Sequence, residues 1–154
     1  MAVLYAGGLV SLTIKQPLGD CEQSVIKLAT LHEQYRSNEK VADAYAQGLY
    51  NLTLEQPLEE CERSVIKLAV LHDEYGSNEE VAVLYAGGLF GLAIEQPLGD
   101  CEQSVLKLTA LYEQYRSNEE VAVLYAGGLF SLTAEQPLED CEQSIIKLAA
   151  LHEQ

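Results

Sequence analysis

Basic residues are scarce in this chain: nine Lys and Arg stand against twenty-four Asp and Glu, a net charge of −15 over 154 residues. That balance repels phosphate backbones and anionic headgroups, so nucleic acid and charged membrane surfaces are not expected partners. No apolar run approaches the ~20 residues that a bilayer-spanning helix needs. No charged-then-apolar leader opens the chain either, and a cytoplasmic, reduced setting is expected. Cysteine is sparse and regular. Cys21, Cys61, Cys101 and Cys141 fall 40 residues apart with no Cys-x-x-Cys pair, the pattern of a packing position rather than a disulfide framework. His32, His72 and His152 share another single position, where Tyr112 stands in the fourth place. A metal site needs several donors converging on one point, so neither metal nor cofactor is expected.

What the chain does have is repetition. Val-Leu-Tyr-Ala-Gly-Gly-Leu occupies 3–9, returns at 83–89 and 123–129, and has a looser relative from Asp43 to Leu49. Residues 1–40, 41–80, 81–120 and 121–154 align without a gap, and the last two units are identical at 26 of their 34 shared positions. One short unit is therefore written nearly four times, by recent duplication or by consensus design.

Each unit reads as two helices. In the third, Val81, Leu84, Tyr85, Gly88, Leu89 and Leu92 recur at spacings of three and four, an apolar stripe on a helix from about Asn78 to Glu95. Ser77 with Glu80, and Ser117 with Glu120, have the spacing of a capping box at its start. Pro17, Pro57, Pro97 and Pro137 suit the first position of the second helix, with acids following in its first turn. That helix runs from about Pro97 to Tyr115 with the stripe Cys101, Val105, Leu108, Leu111 or Tyr112, and Tyr115, broadened by Leu106. A connection of one or two residues forces an antiparallel hairpin. A lone hairpin cannot bury both stripes, so the expected fold is all-α: an α-solenoid of tandem antiparallel helix hairpins, about four repeats in a single domain over 1–154, the terminal ones incomplete. Met1 stands where Val41 stands and the chain stops before a Tyr-Arg-Ser-Asn turn. The ends are thus expected to lack capping repeats, as in an excised or built piece of a longer array, and to promote association.

The paired glycines at 7–8, 87–88 and 127–128 lie in mid-helix among apolar neighbours, the wrong context for a phosphate cradle. Each costs about 1 kcal/mol against Ala in a helix interior, and close approach of a neighbouring helix is the compensating reason. Gln47-Gly48 marks the second glycine as the essential one, so Gly8, Gly48, Gly88 and Gly128, together with the four cysteines, are expected to be helix-packing residues. A cysteine near a helix start could have a lowered pKa and act as a nucleophile. Fourfold recurrence argues instead for a buried small residue, because an enzyme needs one asymmetric constellation rather than a repeated site.

Aromatic residues give the candidate contact surface. Position 10 of the repeat (Val10, Tyr50, Phe90, Phe130) points off the helix stripe and is the better interface candidate. Tyr5, Tyr45, Tyr85 and Tyr125 align on the first helix, where they serve either a binding face or, as the stripe favours, the core. Tyr35, Tyr75 and Tyr115 align at the end of the second helix.

A helix pair with small residues in its first helix, a small residue early in its second, and tandem stacking resembles the tetratricopeptide repeat family or its Sel1-like relatives. Leu84 and Gly88 look like the family's large residue and glycine, Cys101 like its small second-helix residue, and Val105 like the bulky position one turn later. Leu108 stands where a small residue is usual, no proline closes the second helix, and the unit is 40 residues rather than about 34. The resemblance implies protein or peptide binding in a groove lined by the first helices, without a cofactor. The expected function is a non-enzymatic scaffold for protein interaction, including association with copies of itself. The alternative is capture of a basic or amphipathic peptide, favoured by the nine acids against two bases in 41–80; an enzyme is the remote third.

Overall fold

Asparagine and proline punctuate the chain into its helices. Asn38 Oδ1 accepts the Lys40 N–H at 3.0 Å, and Asn78 and Asn118 accept from Val81 and Val121 at 3.1 Å. Asparagine, rather than Ser77 or Ser117, is therefore the cap: its side chain reaches the free N–H groups of the first turn while the serine lies one residue back in the connecting turn. Each proline also stands one step earlier than expected. It holds an extended backbone just before the second helix, and Pro17, Pro57, Pro97 and Pro137 offer their carbonyls to the N–H of Cys21, Cys61, Cys101 and Cys141.

The computed structural model describes residues 1–153, which form eight helices and no strand. These are α1 (Ala2–Lys15), α2 (Leu18–Gln34), α3 (Glu39–Thr53), α4 (Leu58–Glu74), α5 (Glu79–Glu95), α6 (Leu98–Gln114), α7 (Glu119–Glu135) and α8 (Leu138–His152). Odd helices begin repeats and even helices complete them, so the fold is an all-α solenoid of stacked hairpins. The chain divides into two compact units, Met1–Gly88 and Leu89–Gln154.

In the first unit α1 packs on α2 and α3, α2 also packs on α3, and α3 packs on α4. Ala6, Leu9, Leu28, Leu31 and Val41 form one buried cluster there, with Ala2, Val10, Ala44 and Tyr45 packed against it. In the second unit α6 packs on α7 and α7 on α8. The second-helix stripe is buried at Cys101, Val105, Leu108, Leu111, Tyr112 and Tyr115, but Leu106 is exposed. Ile26, Ile66 and Ile146 are exposed at the same position. One residue beyond Val105 is about 100° around the helix, which turns the side chain off the packed face.

A polar latch recurs in every hairpin. Ser24, Ser64, Ser104 and Ser144 are buried, and each donates its hydroxyl to the side-chain carbonyl of the glutamine before the proline: Gln16 at 2.7 Å, Gln56 at 2.7 Å, Gln96 at 2.6 Å and Gln136 at 2.8 Å. Burying the hydroxyl is tolerated because its donor is satisfied, and the bond ties the connection to the second helix.

Candidate functional site

The contact from one repeat to the next is built from the glycine pair. A Cβ placed on Gly48 would fall 2.6 Å from Leu28 Cδ1, one on Gly88 3.0 Å from Val65 Cγ2, and one on Gly128 2.8 Å from Leu108 Cδ1. The second glycine thus lets the first helix of a repeat close onto the second helix of the repeat before it. The first glycine does a separate job. A Cβ on Gly87 would fall 2.7 Å from the Tyr50 ring, and one on Gly127 would fall 2.5 Å from the Phe90 ring. The residue at position 10 of the repeat therefore lays its ring over the first glycine of the next repeat. Where the second repeat has Gln47 instead of glycine, the first offers Val10 instead of a ring. At both observed contacts of this kind a ring faces a glycine.

Position 5 of the repeat faces the same contact. Tyr45 lies 5.5 Å from the His32 ring, Tyr85 5.7 Å from His72, and Tyr125 stacks on Tyr112 at 5.2 Å, all between ring centroids. Tyr85 and Tyr125 are buried and Tyr45 is half-buried. These three tyrosines pack between repeats, Tyr85 and Tyr125 with their rings buried and Tyr45 with part of its ring open, while Tyr5 is exposed. Burial, then the charge of Asp73, pushes the Tyr85 hydroxyl up. Tyr75 also links repeats, its hydroxyl donating to the Arg36 carbonyl.

The cysteines carry thiols, with Cys21, Cys61 and Cys101 buried and Cys141 half-buried. Burial first, and the carboxylates of Glu55 and Glu22 second, raise the Cys21 thiol above its ordinary value; Cys101 is raised by burial and by Glu135 and Glu102. The lowering expected from a helix N-terminus is outweighed, which favours the neutral thiol over a nucleophilic thiolate. No group of three or more His, Cys, Asp or Glu residues is placed to hold a metal among the described residues. No helix among them is long and apolar enough to cross a membrane.

One carboxylate, Asp43, is buried, and the exposed Glu80 lies beside it. Asp43 replaces the valine found at 3, 83 and 123, accepts from Asn78 Nδ2 at 2.7 Å and lies 3.9 Å from Lys40 Nζ. Burial, and then Asp43, hold the Glu80 carboxyl above its usual range.

At the end helices the same positions lose their partners. Gly7 and Gly8 have no heavy atom within 4 Å of an added Cβ. Leu4 is 75% exposed where Leu84 is 8% exposed, Phe130 is 70% exposed, and Ile145 is 54% exposed where Val105 is 3% exposed. Between the end of α6, α7 and α8 lies a cavity of about 460 Å³ lined by Ala122, Val123, Ala126, Leu148, Leu151 and His152, with Arg116 and Glu119 at its edge. The comparisons with family models, with curated proteins and with solved structures found no match. The chain's own repeats are then the standard for reading this cavity. Its equivalent in the first unit is lined by Ala2, Ala6, Leu28, Leu31 and His32, and there Val41, Ala44 and Tyr45 of the following repeat fill it.

Val10, Tyr50 and Phe90 are half-buried at contacts between repeats, and Phe130 is the exposed member. Gly48, Gly88 and Gly128 sit in close helix contacts and Gly8 does not. The Gln-Ser latch was not expected from the sequence. Its signal was present: Gln and Ser hold fixed places in all four units, the serine between apolar residues of the second helix.

Proposed function

We propose that this chain is a non-enzymatic repeat scaffold for protein–protein interaction, whose partners include copies of itself. The observation that carries the reading is the reversal at the end helices: apolar positions that are buried or half-buried where one repeat meets another are exposed at Leu4, Phe130 and Ile145. Exposed apolar side chains of this kind, on α1 and separately on α7 and α8, fit association surfaces. Tandem hairpins, the Leu84, Gly88, Cys101 and Val105 pattern, and fourfold repetition support kinship with tetratricopeptide or Sel1-like repeats, which act through surfaces rather than active sites. The high net negative charge and the raised Cys21 and Cys101 thiols fit a cytoplasmic scaffold without cysteine chemistry. The test is sedimentation of the 154-residue chain over a wide concentration series. Growth in mass with concentration is the expected result, and a strict monomer throughout would sink the self-association.

A further inference from the structure

We infer that two copies associate head to tail in the register of the internal repeats, with α1 of one copy adding to α7 and α8 of the other as though it were the next repeat. This rests on the self-association proposed above and specifies which surfaces meet.

Two features agree on that register, and a third disfavours the pairing of two C-terminal faces. The first is the cavity of about 460 Å³ beside Ala126, Leu148, Leu151 and His152. Counting by 40 residues, the groups that fill its equivalent in the first unit, Val41, Ala44 and Tyr45, correspond to Met1, Leu4 and Tyr5 of a second copy. All three are exposed, and a leucine at this position is already accommodated inside the array, where Leu84 is buried. Tyr5 would meet His152 as Tyr45 meets His32.

Ring and glycine matching is the second feature. Tyr50 covers Gly87 and Phe90 covers Gly127, while Val10 precedes Gln47. Among the described residues, Phe130 is an exposed ring with no glycine beneath it, and Gly7 is an exposed glycine with no ring above it. The same rule puts Phe130 of one copy on Gly7 of the next. Gly8 likewise leaves room for Ile145 and Leu148, as Gly48 does for Val25 and Leu28.

Charge is the third. Residues 1–40 carry Asp20, Glu22, Glu33 and Glu39 against Lys15, Lys27, Arg36 and Lys40, whereas 121–154 carry five acids and only Lys147. Pairing two C-terminal faces brings acid to acid. Pairing a C-terminal face with the neutral first repeat does not. Such a contact is heterologous, so it continues into open chains unless the rotation closes a ring.

Two blocked chains test the register. Gly7→Glu blocks the α1 face and leaves the α8 face free; Phe130→Glu does the reverse. Both positions are exposed, so each variant should keep the helical signal of the parent chain by circular dichroism. Sedimentation should show each variant alone as a monomer, at least about tenfold weaker in association than the parent chain. An equimolar mixture should form a one-to-one dimer and stop there. A variant that still dimerises alone, or a mixture that stays monomeric while the parent chain grows, would overturn the head-to-tail register and leave self-association standing. A parent chain that never grows would remove both. A second pair of substitutions checks the ring rule: Gly7→Gln should weaken association, and adding Phe130→Val, which recreates the Val10 and Gln47 combination, should restore it. Failure to restore while Gly7→Gln weakens would overturn the placement of Phe130 on Gly7.

Discussion

Helices α1 and α3 are the same half of the same repeat, and they meet opposite surroundings. Gly48 on α3 is pressed by Leu28, with no space for a methyl group, while Gly8 on α1 faces open space. Val41 and Ala42 are fully buried and their counterparts Met1 and Ala2 are exposed and half-buried. Two helices of related sequence therefore differ in burial at shared positions because α2 packs against α3 and no described helix packs so against that face of α1. In a solenoid the energy of a residue belongs to the contact between neighbours as much as to the repeat itself.

The comparison can be broken most forcefully at the leucine of the second helix. Leu108 is fully buried and Leu148, its repeat equivalent, is half-buried. Leu108→Ala should cost about 2–5 kcal/mol, as cavity-forming core truncations do, and Leu148→Ala well under half of that, measured by urea unfolding followed through helical ellipticity. Equal losses would mean that the end hairpin is as tightly packed as the inner one.

Next in size are the glycines. Gly48→Ala sets about 1 kcal/mol of gained helix propensity against an overpacking cost of about 1–3 kcal/mol, because Leu28 must give way inside the buried cluster. The net expectation is a loss. Gly8→Ala meets nothing and should gain up to about 1 kcal/mol under monomeric conditions. Thermal melts of the two variants should therefore move in opposite directions, and a shared direction would remove packing as the reason for the second glycine.

The smallest effect concerns two acids of the second repeat, Asp43 and Glu80. The Glu80 carboxyl titrates above its unfolded range through burial and the nearby Asp43, so the folded chain holds that proton more tightly than the unfolded one. Ionising Glu80 then opposes folding: the penalty is present above the raised value and absent below the ordinary carboxylate range. Glu80→Gln should raise the melting temperature slightly at neutral pH, with the gain vanishing as pH falls through the carboxylate range. A gain unchanged at acid pH would point away from charge as its cause.

Much of this was legible in the chain alone, because the signals are local and written four times. The period of 40, the hairpin connections at proline and the stripe from Val81 to Leu92 follow from backbone chemistry and helical spacing. The caps were misread by one residue, since Ser and Asn adjoin and both can cap. Tyr45, Tyr85 and Tyr125 could not be divided between surface and core by spacing, because the face they share becomes interior only where a preceding hairpin covers it. The role of position 10 was hidden for a similar reason: Tyr50 and Gly87 are 37 residues apart, and nothing in either helix alone tells that one ring fills the other's missing side chain.

By itself, then, the sequence determined the unit: helix lengths, hairpin turns and the acidic balance, all properties of residues close along the chain. Only the tertiary structure decided which copies of an identical residue are core and which are surface. Burial is set by what lies across a contact, and repeats with nearly the same residues differ in their neighbours.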